Sequence, residues 1–254
     1  MNTRKISHPN LYNGKEFEIK YVITDKELND QIVEILDQES YGQKFKDGTY
    51  LDLGANTGLA TLYFSQFASK VYSLEPNPDI YKTLVENTKD LKNVETFNYG
   101  WGTASGREFF FADPDGEHQP QTLFGRGENL KSIAVELLTP TNFFKLAKIE
   151  HIDIMKIDVE EAEYLIFPDN DFGEVAGKID TIIGEAHCQQ NGGFPEIIPA
   201  LLKQWGYETE FLKLPKPNYY QIFHYQNFRT GQKVKVSYPR ETIFLAKKND
   251  KTTA

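Results

Sequence analysis

Along this chain the apolar positions switch between a period of about two residues and a period of about 3.6, and the switches divide it into strands and helices. EFEIKYVIT (16–24) alternates as a strand. DKELNDQIVEILDQE (25–39) puts Leu28, Ile32, Ile35 and Leu36 at helical spacing. From Thr49 the rhythm is regular: strand TYLDL, a helix near 58–68, strand KVYSLE (70–75), helix DIYKTLVENTKDL (79–91) and strand VETFNYG (94–100). After a less regular stretch come strand IAVELLT (133–139), strand IDIMKIDV (152–159), a helix near 161–167, strand KIDTIIGEA (178–186) and a helix near 194–205. ETEFLKL (208–214) and ETIFLAKK (241–248) are the last strands.

Strands separated by helices need crossover connections, which produce a mostly parallel sheet covered on both faces. The last two strands have no helix between them and are expected to pair antiparallel at one edge. The reading is a doubly wound α/β domain over 47–254, preceded by a strand and helix extension, 1–46, packed on it.

Composition narrows the class. Hydrophobic residues at 39% and aromatics at 13% describe a globular chain. The net charge of -9 argues against general affinity for nucleic acid or anionic membranes. One cysteine, Cys188, excludes internal disulfides and cysteine-based zinc clusters. No apolar run approaches the roughly 20 residues of a membrane span, and the N-terminus lacks the apolar core of a signal peptide. The expectation is a cytoplasmic protein.

The first strand of the regular series ends in DLGANTG (52–58). In such sheets ligands bind at the carboxyl ends of the strands, where the strand order reverses. Gly54 and Gly58 permit positive φ and close backbone approach, and the amides opening the next helix would face the ligand. A G-x-G-x-x-G fingerprint aligned on Gly54 finds Asn56 and Leu59 at its other two glycine positions, and no Walker A lysine is present. The second strand ends in Glu75, one crossover later, where a carboxylate can accept hydrogen bonds from both hydroxyls of a ribose. The corner therefore fits a nucleoside with no provision for a pyrophosphate.

DLGANTG, LEPNP (74–78) and KIDVEEAE (156–163) together resemble the marker segments of FkbM-type S-adenosylmethionine-dependent methyltransferases, in matching order over roughly residues 45 to 190. The resemblance implies the class I methyltransferase fold, a Rossmann-like, mostly parallel seven-stranded sheet with an antiparallel edge strand. It also implies methyl transfer from S-adenosylmethionine to a hydroxyl of a sugar, glycan or glycosylated small molecule. By that resemblance Asp52, Gly54, Asn56 and Gly58 line the cofactor, Glu75 holds its ribose, and Asn98 lies near the adenine. The chain departs from the pattern at Glu161, where the family has glycine, and at TPTNFF (139–144).

Methyl transfer is an in-line displacement, so alignment supplies much of the rate, but a sugar hydroxyl also needs help in losing its proton. Asp158 ends one strand, with Glu160, Glu161 and Glu163 behind it; Glu185 and His187 end the next. Asp158, Glu185 and His187 can act as proton acceptor and orienting groups, or hold a divalent ion such as Mg²⁺ or Mn²⁺. Glu161 and Glu163 also suit the first turn of a helix through its dipole alone.

The segment 213–240 is basic and aromatic, with Lys213, Lys216, Arg229, Lys233, Lys235 and Arg240 but no Asp or Glu, and with Tyr219, Tyr220 and Phe223 among its rings. It is expected to be an acceptor lid or a homodimer contact. The other functions compatible with the residues are nucleic-acid methylation, motivated by this segment, and non-catalytic binding on the same fold. Against nucleic acid stand the overall charge and the lack of an Asn/Asp-Pro-Pro-aromatic signature after KIDV.

Overall fold

The computed structural model describes residues 1–39, 41, 46–112, 131–187, 195–212, 220–226, 233–239 and 241–249. The N-terminal segment forms an antiparallel hairpin of β1 (Asn2–Ile6) and β2 (Phe17–Tyr21), then α1 (Asp25–Gln31). A capping box fixes the start of α1: Thr24 accepts from the Glu27 amide, and the Glu27 carboxylate accepts from the Thr24 N–H. The helix then widens into a π-helical segment, Ile32–Asp37.

The regular alternation follows as β3 (Thr49–Leu53), α2 (Leu59–Ser65), β4 (Lys70–Leu74), α3 (Pro78–Thr88) and β5 (Val94–Phe97). Asn77 caps α3 by accepting from the Asp79 and Ile80 amides, and Pro78 occupies the first helical position, where its missing N–H costs nothing. Next come β6 (Gly100–Trp101), β7 (Gly106–Ala112), β8 (Lys131–Leu138), α4 (Pro140–Leu146), β9 (Ile152–Ile157), α5 (Glu163–Ile166), α6 (Asn170–Ala176) and β10 (Ile179–His187). The remaining elements are α7 (Ile198–Lys203), β11 (Tyr207–Phe211), β12 (Tyr220–Gln226), β13 (Lys233–Pro239) and β14 (Glu241–Lys248).

The main sheet has the order β11-β14-β10-β9-β3-β4-β5. β14 runs antiparallel to both β10 and β11, while the β10–β9–β3–β4–β5 pairs are parallel. This is the class I methyltransferase architecture, with the antiparallel pair β14 and β11 at one edge, β11 outermost. Chain order reverses between β3 and β9, so the carboxyl ends of β3, β4, β9 and β10 open on one side of the sheet.

Side chains alternate across the sheet into two buried layers. Leu51, Met155 and Ile182 enter a core with Phe143 and Phe172; Tyr50, Ile154 and Ile183 enter a second with Phe64. Ile19, Leu28 and Leu36 of the N-terminal segment belong to that second core. A fully buried aromatic such as Phe64 or Phe172 contributes about 1.5–3 kcal/mol by leaving water.

Two expected strands are rearranged. VETFNYG ends as a main-sheet strand at Phe97, because the Asn98 amide turns back to donate to the carbonyls of Glu75 (2.8 Å) and Pro76 (3.0 Å). Gly100 and Trp101 join instead a small separate sheet, β6-β8-β7, which also contains the expected strand IAVELLT. Within 213–240, β12 and β13 pair as a hairpin; Tyr219, Arg229 and Cys188 lie outside the described residues, as does 113–130.

Candidate active site

The corner after β3 is held by backbone. The amides of Gly54 and Ala55 both donate to the Leu74 carbonyl, at 3.1 and 2.9 Å, tying the loop to β4. Gly54 has φ +75°, and a Cβ there would lie 1.8 Å from the carbonyl oxygen of Asp158, so only glycine fits between β3 and the end of β9. Asn56 takes φ +51°, which asparagine tolerates, and its side chain accepts from the Thr57 amide at 2.7 Å. Gly58, at φ +96°, is the cap of α2.

Glu75 is 7% exposed and lies against that corner. One carboxylate oxygen accepts from the Asn56 amide (3.0 Å) and the other from the Asn77 amide (2.8 Å). Each oxygen keeps a second lone pair for a hydroxyl donor. Burial pushes the Glu75 carboxyl up to about 7, opposed by those two amides and by Lys156.

Asp52 lies deeper, wholly buried. Its Oδ2 accepts from the Thr61 hydroxyl at 2.6 Å, and its Oδ1 is 3.4 Å from Lys156 Nζ. Lys156 in turn donates to the Gly54 carbonyl at 2.8 Å and lies 3.3 Å from Asp158 Oδ2. Burial opposes its charge, but Asp158, Asp52 and Glu185 together hold its ammonium above the ordinary lysine range. Lys156 thus pins the glycine corner to the end of β9, and Asp52 braces the corner from below.

A second group of charges meets at the ends of β9 and β10. His187 is 4% exposed. Its Nδ1 lies 3.1 Å from Glu163 Oε1, which also accepts from the Val159 amide. Its Nε2 faces Glu160 Oε2 and Glu185 Oε2, both at 3.7 Å, and Asp158 Oδ1 at 3.8 Å. Burial opposes its protonation, yet Glu160, Glu163 and Asp158 raise the imidazole well above its usual range. Asp158 is the accessible member, its side chain 29% exposed, while Glu185 is 5% exposed.

Two residues of the N-terminal segment complete this group. The Tyr41 hydroxyl donates to Glu185 Oε1, and its ring lies under Lys156 Nζ at 5.5 Å. Glu34, on the π-helical segment, sits against Glu185 and Tyr41. Burial, then the Glu185 charge, pushes its carboxyl well above the usual range and favours its protonated form. Tyr41 is likewise raised, first by burial and then by Glu185 and Glu34.

Residues 52–209, more than half of the chain, match the model of the methyltransferase FkbM domain. The chain belongs to the FkbM methyltransferase family. It is 24% identical over 183 residues to the hexuronic acid methyltransferase AglP of Haloferax volcanii, covering 72% of each chain. It is 28% identical over 205 residues to the AMB antimetabolite synthetase AmbE of Pseudomonas aeruginosa, covering 64% of this chain and spanning only 10% of that relative. Among solved structures, an FkbM methyltransferase from Methylobacillus flagellatus KT aligns with a TM-score of 0.49 and 14% identity, covering 84% of this chain and 47% of that one. Precorrin-6y C5,15-methyltransferase from Geobacter metallireducens GS-15 aligns with a TM-score of 0.48 and 14% identity, covering 90% and 95%.

For this FkbM-family chain, the residues singled out in sequence fall into two clusters and a frame. Gly54, Asn56, Gly58 and Glu75 form the corner; Asp158, Glu185 and His187 form the acidic group. Asp52 and Asn98 make contacts that brace the corner, Asp52 with Thr61 and Lys156 and Asn98 with the carbonyls of Glu75 and Pro76. Glu161, at the position where the family pattern has glycine, adopts φ +80°, so the turn keeps its left-handed shape at a cost of about 1–2 kcal/mol. Glu163, readable as a helix-start charge, is buried against His187. Glu34 and Tyr41 gave no sequence signal, because Glu185, which both contact, lies more than a hundred residues away.

Proposed function

We propose that this chain transfers a methyl group from S-adenosylmethionine to a hydroxyl of a sugar-type acceptor, a hexuronic acid residue being the first candidate. The observation that carries the reading is Glu75, buried one crossover after the Gly54 corner with both oxygens oriented by backbone amides. That arrangement suits the two hydroxyls of a ribose, and the corner beside it lacks the glycines and the lysine of a pyrophosphate-binding loop. Family membership supports methyl transfer, and the similarity to AglP supports a hexuronic acid acceptor.

Gly54, Asn56 and Gly58 shape the cofactor loop, while Asp52 and Asn98 keep it in place. Asp158, Glu185 and His187 stand at the neighbouring strand ends, where an acceptor hydroxyl would meet the methyl group. In the step itself an oxygen lone pair forms the new O–C bond as the S–C bond breaks. The bonding pair stays on sulfur, giving S-adenosylhomocysteine, and the hydroxyl proton passes to the carboxylate cluster. Alignment supplies several kcal/mol of the barrier lowering, and proton removal a further 10²–10⁴-fold or so.

The test is transfer of labelled methyl from S-adenosylmethionine to a panel of glucuronate- and galacturonate-containing glycans, neutral glycans, RNA and phenols. The expected result is labelling of a uronic acid hydroxyl. Labelling confined to RNA would overturn the acceptor class, and labelling confined to neutral glycans would overturn the uronic acid.

A further inference from the structure

We propose that Asp158, Glu185 and His187 bind one hard divalent cation, of the Mg²⁺ or Mn²⁺ class. The cation's place in catalysis rests on the methyl-transfer reading; its binding does not.

Three ligand atoms converge while their companion atoms are held elsewhere. Asp158 Oδ2 is held by Lys156, Glu185 Oε1 by the Tyr41 hydroxyl, and His187 Nδ1 by Glu163. What remains are Asp158 Oδ1, Glu185 Oε2 and His187 Nε2, with Glu160 Oε2 beside them. Nε2 belongs to a side chain more than nine-tenths buried, points into the group and makes no hydrogen bond among the described residues.

The spacing separates a cation site from a plain ion pair. An N–H donating to a carboxylate draws one oxygen to about 2.7–2.9 Å. Here three oxygens from three residues stand at nearly equal distances of 3.7 to 3.8 Å from Nε2. Ligand atoms sharing an ion at about 2.0–2.2 Å lie about 3–4 Å from one another. A cation at Nε2 requires the neutral imidazole with its proton on Nδ1, facing Glu163, so the ion would displace the proton that the surrounding carboxylates otherwise favour. A carboxylate on the far imidazole nitrogen is the usual outer contact of a metal-bound histidine.

Charge favours the same occupant. Asp158, Glu160, Glu163 and Glu185 surround one imidazole, and Lys156 pairs within 4.0 Å only with Asp158 and Asp52 among the described residues. Carboxylates gathered this closely repel one another, and a divalent ion offsets more of that charge than a single imidazole does. Oxygen donors with a single imidazole suit a hard cation that keeps open positions for water or substrate oxygens. A uronic acid acceptor carries its own carboxylate, and a bound cation would let it approach this acidic cleft and would polarise its neighbouring hydroxyl.

The experiment titrates Mn²⁺ into the full chain and reads free Mn²⁺ by electron paramagnetic resonance, with S-adenosylmethionine calorimetry on the same samples. The expected result is one Mn²⁺ per chain, displaced by Mg²⁺. Glu185→Gln and His187→Ala should weaken it at least tenfold without changing cofactor affinity, which also reports that the variants are folded. Wild-type protein that binds S-adenosylmethionine but leaves Mn²⁺ free overturns the cation site and leaves the methyl-transfer reading standing. Mn²⁺ bound with unaltered affinity by both variants also overturns it. Mn²⁺ bound without S-adenosylmethionine supports the site and overturns the methyl-transfer reading instead.

Discussion

Gly54→Ala should remove at least about 3 kcal/mol of stability and take S-adenosylmethionine binding below detection. The added Cβ would sit 1.8 Å from the Asp158 carbonyl oxygen, which is rigid backbone, and alanine at φ +75° adds its own strain. Relief requires β3 and the end of β9 to separate, which pulls the Gly54 carbonyl from Lys156 and moves the loop that presents Asn56 to Glu75. For a chain of this size the loss corresponds to a fall in Tm of about 6–12 °C. Gly177→Ala is the control: its φ is -66°, and a Cβ would meet nothing within 4 Å. It should stay within about 0.5 kcal/mol of wild type. Thermal melts and calorimetry on both variants check this, and a Gly54→Ala protein with wild-type Tm and cofactor affinity would refute the account of the corner.

Asp158→Asn should lower kcat by about 10²–10⁴-fold while leaving S-adenosylmethionine affinity within about threefold. Asp158 is the most accessible of the three groups, its Oδ1 faces His187, and its Oδ2 rests on Lys156. Asparagine keeps the shape and removes the charge, and Lys156 still has Asp52. The split matters: a merely structural role would weaken stability and cofactor affinity together with turnover. Steady-state kinetics with the acceptor found in the glycan panel, beside cofactor calorimetry, measures both. Turnover within threefold of wild type would remove Asp158 from the chemistry.

The parallel strands were legible because they are buried on both faces and read as apolar runs. TYLDL keeps the expected bounds, and IDIMKIDV and KIDTIIGEA differ only at their ends; the antiparallel ETIFLAKK also keeps its bounds. β1 was not legible: NTRKI is exposed over all but Ile6, so no alternation marks it, and its pairing with β2 decides the conformation. Nor was α6, whose sequence NDFGEVA carries a helix-weakening glycine. There Gly173 packs so closely against the Trp205 ring that a Cβ would lie 2.4 Å from it, a tertiary contact that overrides propensity.

The candidate site divides in the same way. Gly54, Gly58 and Glu75 were legible because their meaning is local, a turn and the strand end one crossover later. Asp158, Glu185 and His187 were legible as charges ending apolar strands. The supports were not. Glu163 looks like any acidic residue opening a helix, and only the fold brings it to His187 Nδ1. Glu34 and Tyr41 reach Glu185 from the N-terminal segment, and the π-helical segment carrying Glu34 has no sequence mark. The contacts of the Asn98 amide, which donates to the carbonyls of Glu75 and Pro76, were not legible either.

Calorimetric titration of S-adenosylmethionine into the wild-type chain and into Glu75→Ala tests the central claim most directly. At pH 8, above the point near 7 where Glu75 ionises, wild type should bind one equivalent. Glu75→Ala should bind at least tenfold more weakly, as expected when a charged partner of two hydroxyls is removed. No binding by wild type, or equal binding by both proteins, would contradict the assignment of this corner to the cofactor.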